Sequence, residues 1–335
     1  MVSISVSNRS FTLLPDRDFR SLSDGTRRAY YAKMRQRIWD IVLSETPEDR
    51  MAGRIPMRNV PLEEKLTMLQ QFKYGAAYDG ELMELIGRIY EGIPVPKDAM
   101  DYHGKKIIEI LQTIKELHST GEFEVLSVED NWDNLELSEI GVFFNKFGEI
   151  VAKTFGAEAP LVTAKDEIED KMGRRGRIGG VCYGSDIDMA VGCEGSRDFF
   201  FRKMGELYHE IVHSLQSYWR KNKDSCPPEL KQNMRLVESF DGYAKIWNFD
   251  FLETLGMDRS KASRIYASTS HEKEAYAQQF RFETAFRPFV ASLREPKGMD
   301  YLPEGHFALM LPREKLESIF FGEKSDSGWS LDLKY

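Results

Sequence analysis

Glu206-Leu-Tyr-His-Glu-Ile-Val-His-Ser-Leu-Gln216 is the stretch from which the rest of the chain can be read. On a helix, residues four apart stack one turn above another, so His209 and His213 project from one face and both imidazoles can reach a single ion. Glu210 sits one step round, beside that ion. Leu207, Ile211, Val212 and Leu215 supply the apolar side that buries such a helix in a core. With six histidines and 54 acidic residues in 335 positions, chance placement gives about 0.02 copies of H-E-x-x-H per chain, so composition alone does not explain the match. Two imidazoles with an adjacent glutamate are suited to hold Zn²⁺ and to take a proton from a water that the ion activates.

A chain of 335 residues with 41% hydrophobic and 12% aromatic residues can bury a sizeable core. Its net charge of −8 leaves no excess of Lys and Arg to replace phosphate counterions, which argues against a general nucleic-acid binder. The basic run Lys171-Met-Gly-Arg-Arg-Gly-Arg177 reads as a solvated loop. Cys182, Cys193 and Cys226 cannot form a disulfide framework and lack C-x-x-C spacing, so a reducing compartment is expected and a cysteine zinc site is not. Nowhere do eighteen apolar residues run together, and the N-terminus lacks a basic segment followed by a long apolar one. The expected location is the cytoplasm, or the exterior by a route without a cleaved signal peptide, with no membrane partner.

Around the histidine stretch, periodicity predicts an α+β chain, mostly helical, with a small mixed sheet packed on that helix. Residues 1–22 are polar and Ser-rich and read as an arm. Residues 23–120 read as a helical lobe: Tyr30, Met34, Ile38, Ile41 and Val42 recur at helical spacing behind a Ser23/Asp24 cap. A helix set follows from Pro61 to about Ile93, interrupted near Tyr78-Asp-Gly80, and a third helix from about Gly104 to His118. Residues 121–295 read as the catalytic domain. Within it, Glu122 to Val128 alternates like a strand, Leu137 to Phe155 is helical, and Pro160 to Thr163, Val181 to Tyr183 and Asp186 to Val191 are short strands. After Pro227-Pro228 a helix is expected from Glu229 to about Leu255, then another from about Ser260 to Leu293, broken at Pro288. Residues 296–335, rich in Pro and Gly, read as an irregular wrap.

A small sheet whose last strand leads into an H-E-x-x-H helix resembles the zincin metallopeptidases. In that family the strand before the active-site helix lies at the sheet edge and an extended substrate pairs with it, a role that falls here on Ile187 to Val191. Gln216 and Trp219 stand where a further glycine and third histidine would be, so a third protein ligand must come from a later element. The spacing resembles the gluzincins, over roughly residues 160 to 290.

Two glutamates compete for that place. Glu272, 272 − 213 = 59 residues after the second histidine, lies in Glu-x-x-Ala-Tyr, a form that resembles the third-ligand helix of several gluzincins. At 100° per residue it shares a face with Ala275, Gln279 and Phe286, while Glu274 falls about 200° away and is expected to face water. Glu238, 238 − 213 = 25 residues on, occupies a spacing that gluzincins also use, and His271 is a further alternative. The resemblance implies a zinc-dependent endopeptidase, with Glu210 as general base, acting on a protein or peptide bound as an extended strand. An oxyanion donor is also needed, and His271, Tyr276, Tyr243 and Tyr183 are the candidates. Two other readings stay open: a zincin-shaped binding protein without turnover, and a bacterial effector protease delivered to a host cell.

Overall fold

The computed structural model describes residues 2–4, 11–13, 18, 21–42, 60–73, 80–169, 179–192, 197–240 and 249–294. The run 171–177, Cys193, Tyr243 and the wrap at 296–335 lie outside them. The described chain is α+β: mostly helical, with a small mixed sheet. It divides into two compact units, residues 1–95 with 235–273, and residues 96–234 with 274–335. The first unit therefore joins the expected helical lobe, up to residue 95, to a stretch expected in the catalytic domain.

The first unit holds an antiparallel pair, β1 (Val2–Ile4) with β2 (Phe11–Leu13). Its helices are α1 (Asp24–Val42), α2 (Leu62–Lys73), α3 (Gly80–Glu91), α8 (Lys231–Phe240, which begins just before the boundary), α9 (Phe249–Thr254) and α10 (Arg259–Ser268). Ser23 Oγ caps α1 by accepting from Thr26 N at 3.3 Å. Met34, Leu69, Phe72, Ile86, Ile89, Leu252 and Ile265 share one apolar core. Gly87 permits that packing, because a β-carbon there would meet Ile265 Cγ1 at 2.9 Å. The open carbonyls at the end of α3 receive buried Lys273, whose Nζ donates to Tyr90 O at 2.6 Å, Ile93 O at 2.8 Å and Glu91 O at 3.2 Å. Lys65 Nζ donates to Gly92 O beside them. The helix expected from Glu229 to Leu255 is found as α8 and α9, and 241–248 between them are not described.

The second unit contains α4 (Lys97–Ser119), α5 (Val125–Asn131), α6 (Leu137–Phe155), β3 (Leu161–Lys165), β4 (Gly180–Cys182), β5 (Asp186–Ala190), α7 (Arg197–Lys221) and most of α11 (Ser270–Leu293). Stacked and tilted rings of Phe143, Phe144, Phe147, Phe200, Phe282 and Phe286 fill its core. The α6 helix matches its expected limits, closed by Gly156 at φ 67°, a left-handed cap that glycine adopts without strain.

Three expectations are corrected. Glu122 to Val128 is not a strand: Val125, Val128, Glu129 and Trp132 make one helical face, and a short apolar run fits either period. The break expected at Pro288 falls instead at Thr269, whose extended backbone (ψ 149°) separates α10 from α11, and α11 runs on through Pro288. The strand at 187–191 is not an edge. The order is β3-β5-β4, with β5 parallel to β3 and antiparallel to β4, so β5 is central and β4 is an edge among the described strands. Ala190 N donates to Gly179 O (2.9 Å) and Tyr183 N to Asp186 O (2.7 Å), so residues 179 and 183 bond inward. By alternation, Gly180 and Cys182 turn their main-chain groups to the other side.

Candidate metal centre

The α7 helix carries the histidine stretch against two neighbours. On one side is β4: a β-carbon on Gly180 would lie 2.7 Å from Glu210 Cγ and 3.1 Å from Glu210 Oε1, so the missing side chain makes room for this carboxylate. On the other side is α11, antiparallel to α7. Gly205 meets Glu283, Tyr208 stacks on Phe282 at 4.6 Å, the rings of His209 and Tyr276 stand 4.5 Å apart, and Gln216 bonds Glu274. The boundary between the compact units falls between Lys273 and Glu274, inside this unbroken helix. Glu272 thus lies one turn before Tyr276, on the same helical face.

His209 Nε2 and His213 Nε2 stand 3.0 Å apart, with the rings edge to face at 80°. Two nitrogens on one tetrahedral zinc, each at about 2.0–2.1 Å, would be separated by about 3.3 Å, so the pair fits a shared ion. Glu272 completes the group: one ligand atom from each of His209, His213 and Glu272 lies within 4.8 Å of the others. Glu272 is 2% exposed, and a buried carboxylate requires compensation, which a cation facing it would supply. Two neutral imidazoles and one carboxylate are a donor set suited to zinc in a catalytic site. His271 Nε2 stands 3.4 Å from Glu272 Oε1, beside the one carboxylate of the group. Among the described residues, Glu238 on α8 is not part of this cluster, and Tyr183 is 64% exposed on the loop after β4.

Behind the histidines lies a buried polar chain that sequence reasoning missed. His213 Nδ1 faces Gln216 Oε1 at 3.0 Å, Gln216 Nε2 donates to Glu274 Oε2 at 2.7 Å, and Glu274 Oε1 meets His103 Nε2 at 3.1 Å. Glu274 does not face water as expected but is 1% exposed, because α11 is packed around most of its circumference. Burial pushes its carboxyl pKa up, yet hydrogen bonds and charge from His103, together with bonds from Gln216 and Asn233, bring it below its ordinary value. Gln216, three residues after His213 and on the same helical face, was the available sequence signal. His103, which meets Glu274 from 171 residues earlier in the chain, gave none.

Compared with known proteins, the chain matches no protein-family model, no curated protein and no solved structure.

Proposed function

We propose that this chain is a zinc-dependent endopeptidase. The observation that carries the reading is the convergence of His209 Nε2, His213 Nε2 and Glu272 on one point, with Glu210 on the adjoining face of the same helix. Bound zinc would supply Lewis acidity, making a water nucleophilic near neutral pH and polarising the scissile carbonyl. Glu210 takes the proton of that water as it attacks and passes it to the leaving amine, so one carboxylate serves as base and then as acid. Tyr276, on the face of α11 that carries Glu272, is the donor proposed for the developing oxyanion. An extended peptide would lie along β4 and pair with the outward main-chain groups of Gly180 and Cys182, which brings its backbone past Glu210.

The test is Glu210→Gln, assayed for bound zinc and for cleavage of a peptide library. Zinc retained at wild-type stoichiometry with cleavage abolished is the expected result, and undiminished cleavage would sink the mechanism. A wild-type protein with stoichiometric zinc that cleaves no library member would favour a binding protein of this shape instead.

A further inference from the structure

We propose that Gln216 and Glu274 are positioning residues of the metal centre, which through the chain His213–Gln216–Glu274–His103 hold His213 with its proton on Nδ1 and its Nε2 lone pair turned to the ion. The proposal rests on the metal reading of the site and is independent of which bond the protein cleaves.

The direction of these hydrogen bonds sets the tautomer of His213. An amide has a donor end and an acceptor end, and Gln216 spends its donor on Glu274 Oε2 at 2.7 Å. Only its carbonyl is then left for His213, 3.0 Å away, so His213 Nδ1 must donate and Nε2 must be the unprotonated nitrogen. Reversing the amide would turn N–H towards Nδ1, put the proton on Nε2 and remove a ligand. Glu274 prevents that reversal because a carboxylate only accepts, and it also receives His103 Nε2 at 3.1 Å. Gln216, Glu274 and His103 are all buried, so little water can substitute for a lost bond. Ligating histidines are commonly oriented through their second nitrogen, and losing such partners typically costs about 10–100-fold in metal affinity.

The test compares Gln216→Leu, Glu274→Gln and the exchange Gln216→Glu/Glu274→Gln by zinc competition titration, and by the visible spectrum of the cobalt-loaded proteins. Thermal unfolding is measured alongside. The exchange reverses only the bond between positions 216 and 274 and keeps both histidine bonds: Glu at 216 accepts from His213 Nδ1, while Gln at 274 donates to it and accepts from His103. Expected are a loss of about 10–100-fold in zinc affinity for Gln216→Leu, a smaller loss for Glu274→Gln with an altered cobalt spectrum, and recovery of both readouts in the exchange. Single variants that bind zinc as wild type does, or an exchange variant no better than Glu274→Gln, would overturn the proposal. Should Gln216→Leu fail to fold, the near-isosteric Glu274→Gln and the exchange decide between the same outcomes. A wild-type protein that takes up neither metal defeats the metal reading itself, before any variant is compared.

Discussion

Gly180 passes so close to Glu210 that a β-carbon at position 180 would stand 2.7 Å from Glu210 Cγ and 2.8 Å from Met189 Sδ. Both contacts are tighter than packed atoms tolerate, and the strand cannot retreat, because Gly180 lies opposite Met189 in the ladder with β5. Gly180→Ala should therefore displace the Glu210 side chain and leave the histidines in place. The expected outcome is zinc bound at wild-type stoichiometry with kcat lowered about 10²-fold, the order that a misplacement near 1 Å costs. Unchanged kcat would mean that Glu210 does not act from this position.

Glu272 and Glu238 are separated by their metal content. Glu272 belongs to the cluster with His209 and His213, so Glu272→Ala should lose zinc by far more than the roughly 10–100-fold that an outer partner costs. Glu238→Ala should keep zinc. Dialysis followed by metal analysis of both proteins checks this, and a zinc-free Glu238→Ala beside a loaded Glu272→Ala would reverse the assignment.

Tyr276 lies with its ring 4.5 Å from that of His209, one turn along α11 from Glu272. Tyr276→Phe preserves this ring contact and removes only the hydroxyl. If the hydroxyl stabilises the oxyanion, kcat should fall about 10²–10³-fold with KM and zinc content nearly unchanged. A fall in zinc content of the same size would show that the ring's packing on His209 is what matters.

The α7 helix and the limits of α6 were legible in the sequence because each is a long amphipathic run with a clear face, whereas helical spacing could name Glu272 beside Glu238 and His271 without bringing it to the histidines. The place of β5 was not. Alternation marks a strand but not its neighbours, and the three-residue β4 that covers one side of β5 is fixed by pairing rather than by its own pattern. Glu274 failed for a related reason. A helical wheel assigns a face to water only if one side of the helix is uncovered, and Glu274 is met by Gln216 from α7 and by His103 from α4.

The edge position of β4 among the described strands carries its own prediction. Cys182→Pro removes a donor from the outward side of β4 and leaves the inward bond from Tyr183 N to Asp186 O (2.7 Å) untouched. If substrate adds as a strand there, kcat/KM for peptides should fall at least about tenfold, with circular dichroism and zinc content as in wild type. Full activity in the folded variant would exclude pairing along this edge.

Cys182 reports on the environment of Glu210 without any metal. Burial pushes its thiol pKa up to about 12 from the usual 9.0, with the Glu210 charge adding to the rise, the bond to Gly184 O opposing it and Asp186 adding a little. A folded-state pKa raised in this way contributes stability that is fully present below pH 9 and is lost as pH rises from 9 towards 12, because the unfolded thiol releases its proton first. Since the thiolate is the reactive form, Cys182 in the folded protein should alkylate with iodoacetamide at pH 8 far more slowly than in the urea-unfolded chain, as followed on its own peptide by mass spectrometry. Glu210→Gln removes the smaller of the two leading causes. It should raise the Cys182 rate measurably and still leave it well below the unfolded rate. Labelling of folded Glu210→Gln as fast as that of the unfolded chain would show that burial is not the dominant cause, and no acceleration at all would separate Cys182 from the Glu210 carboxylate.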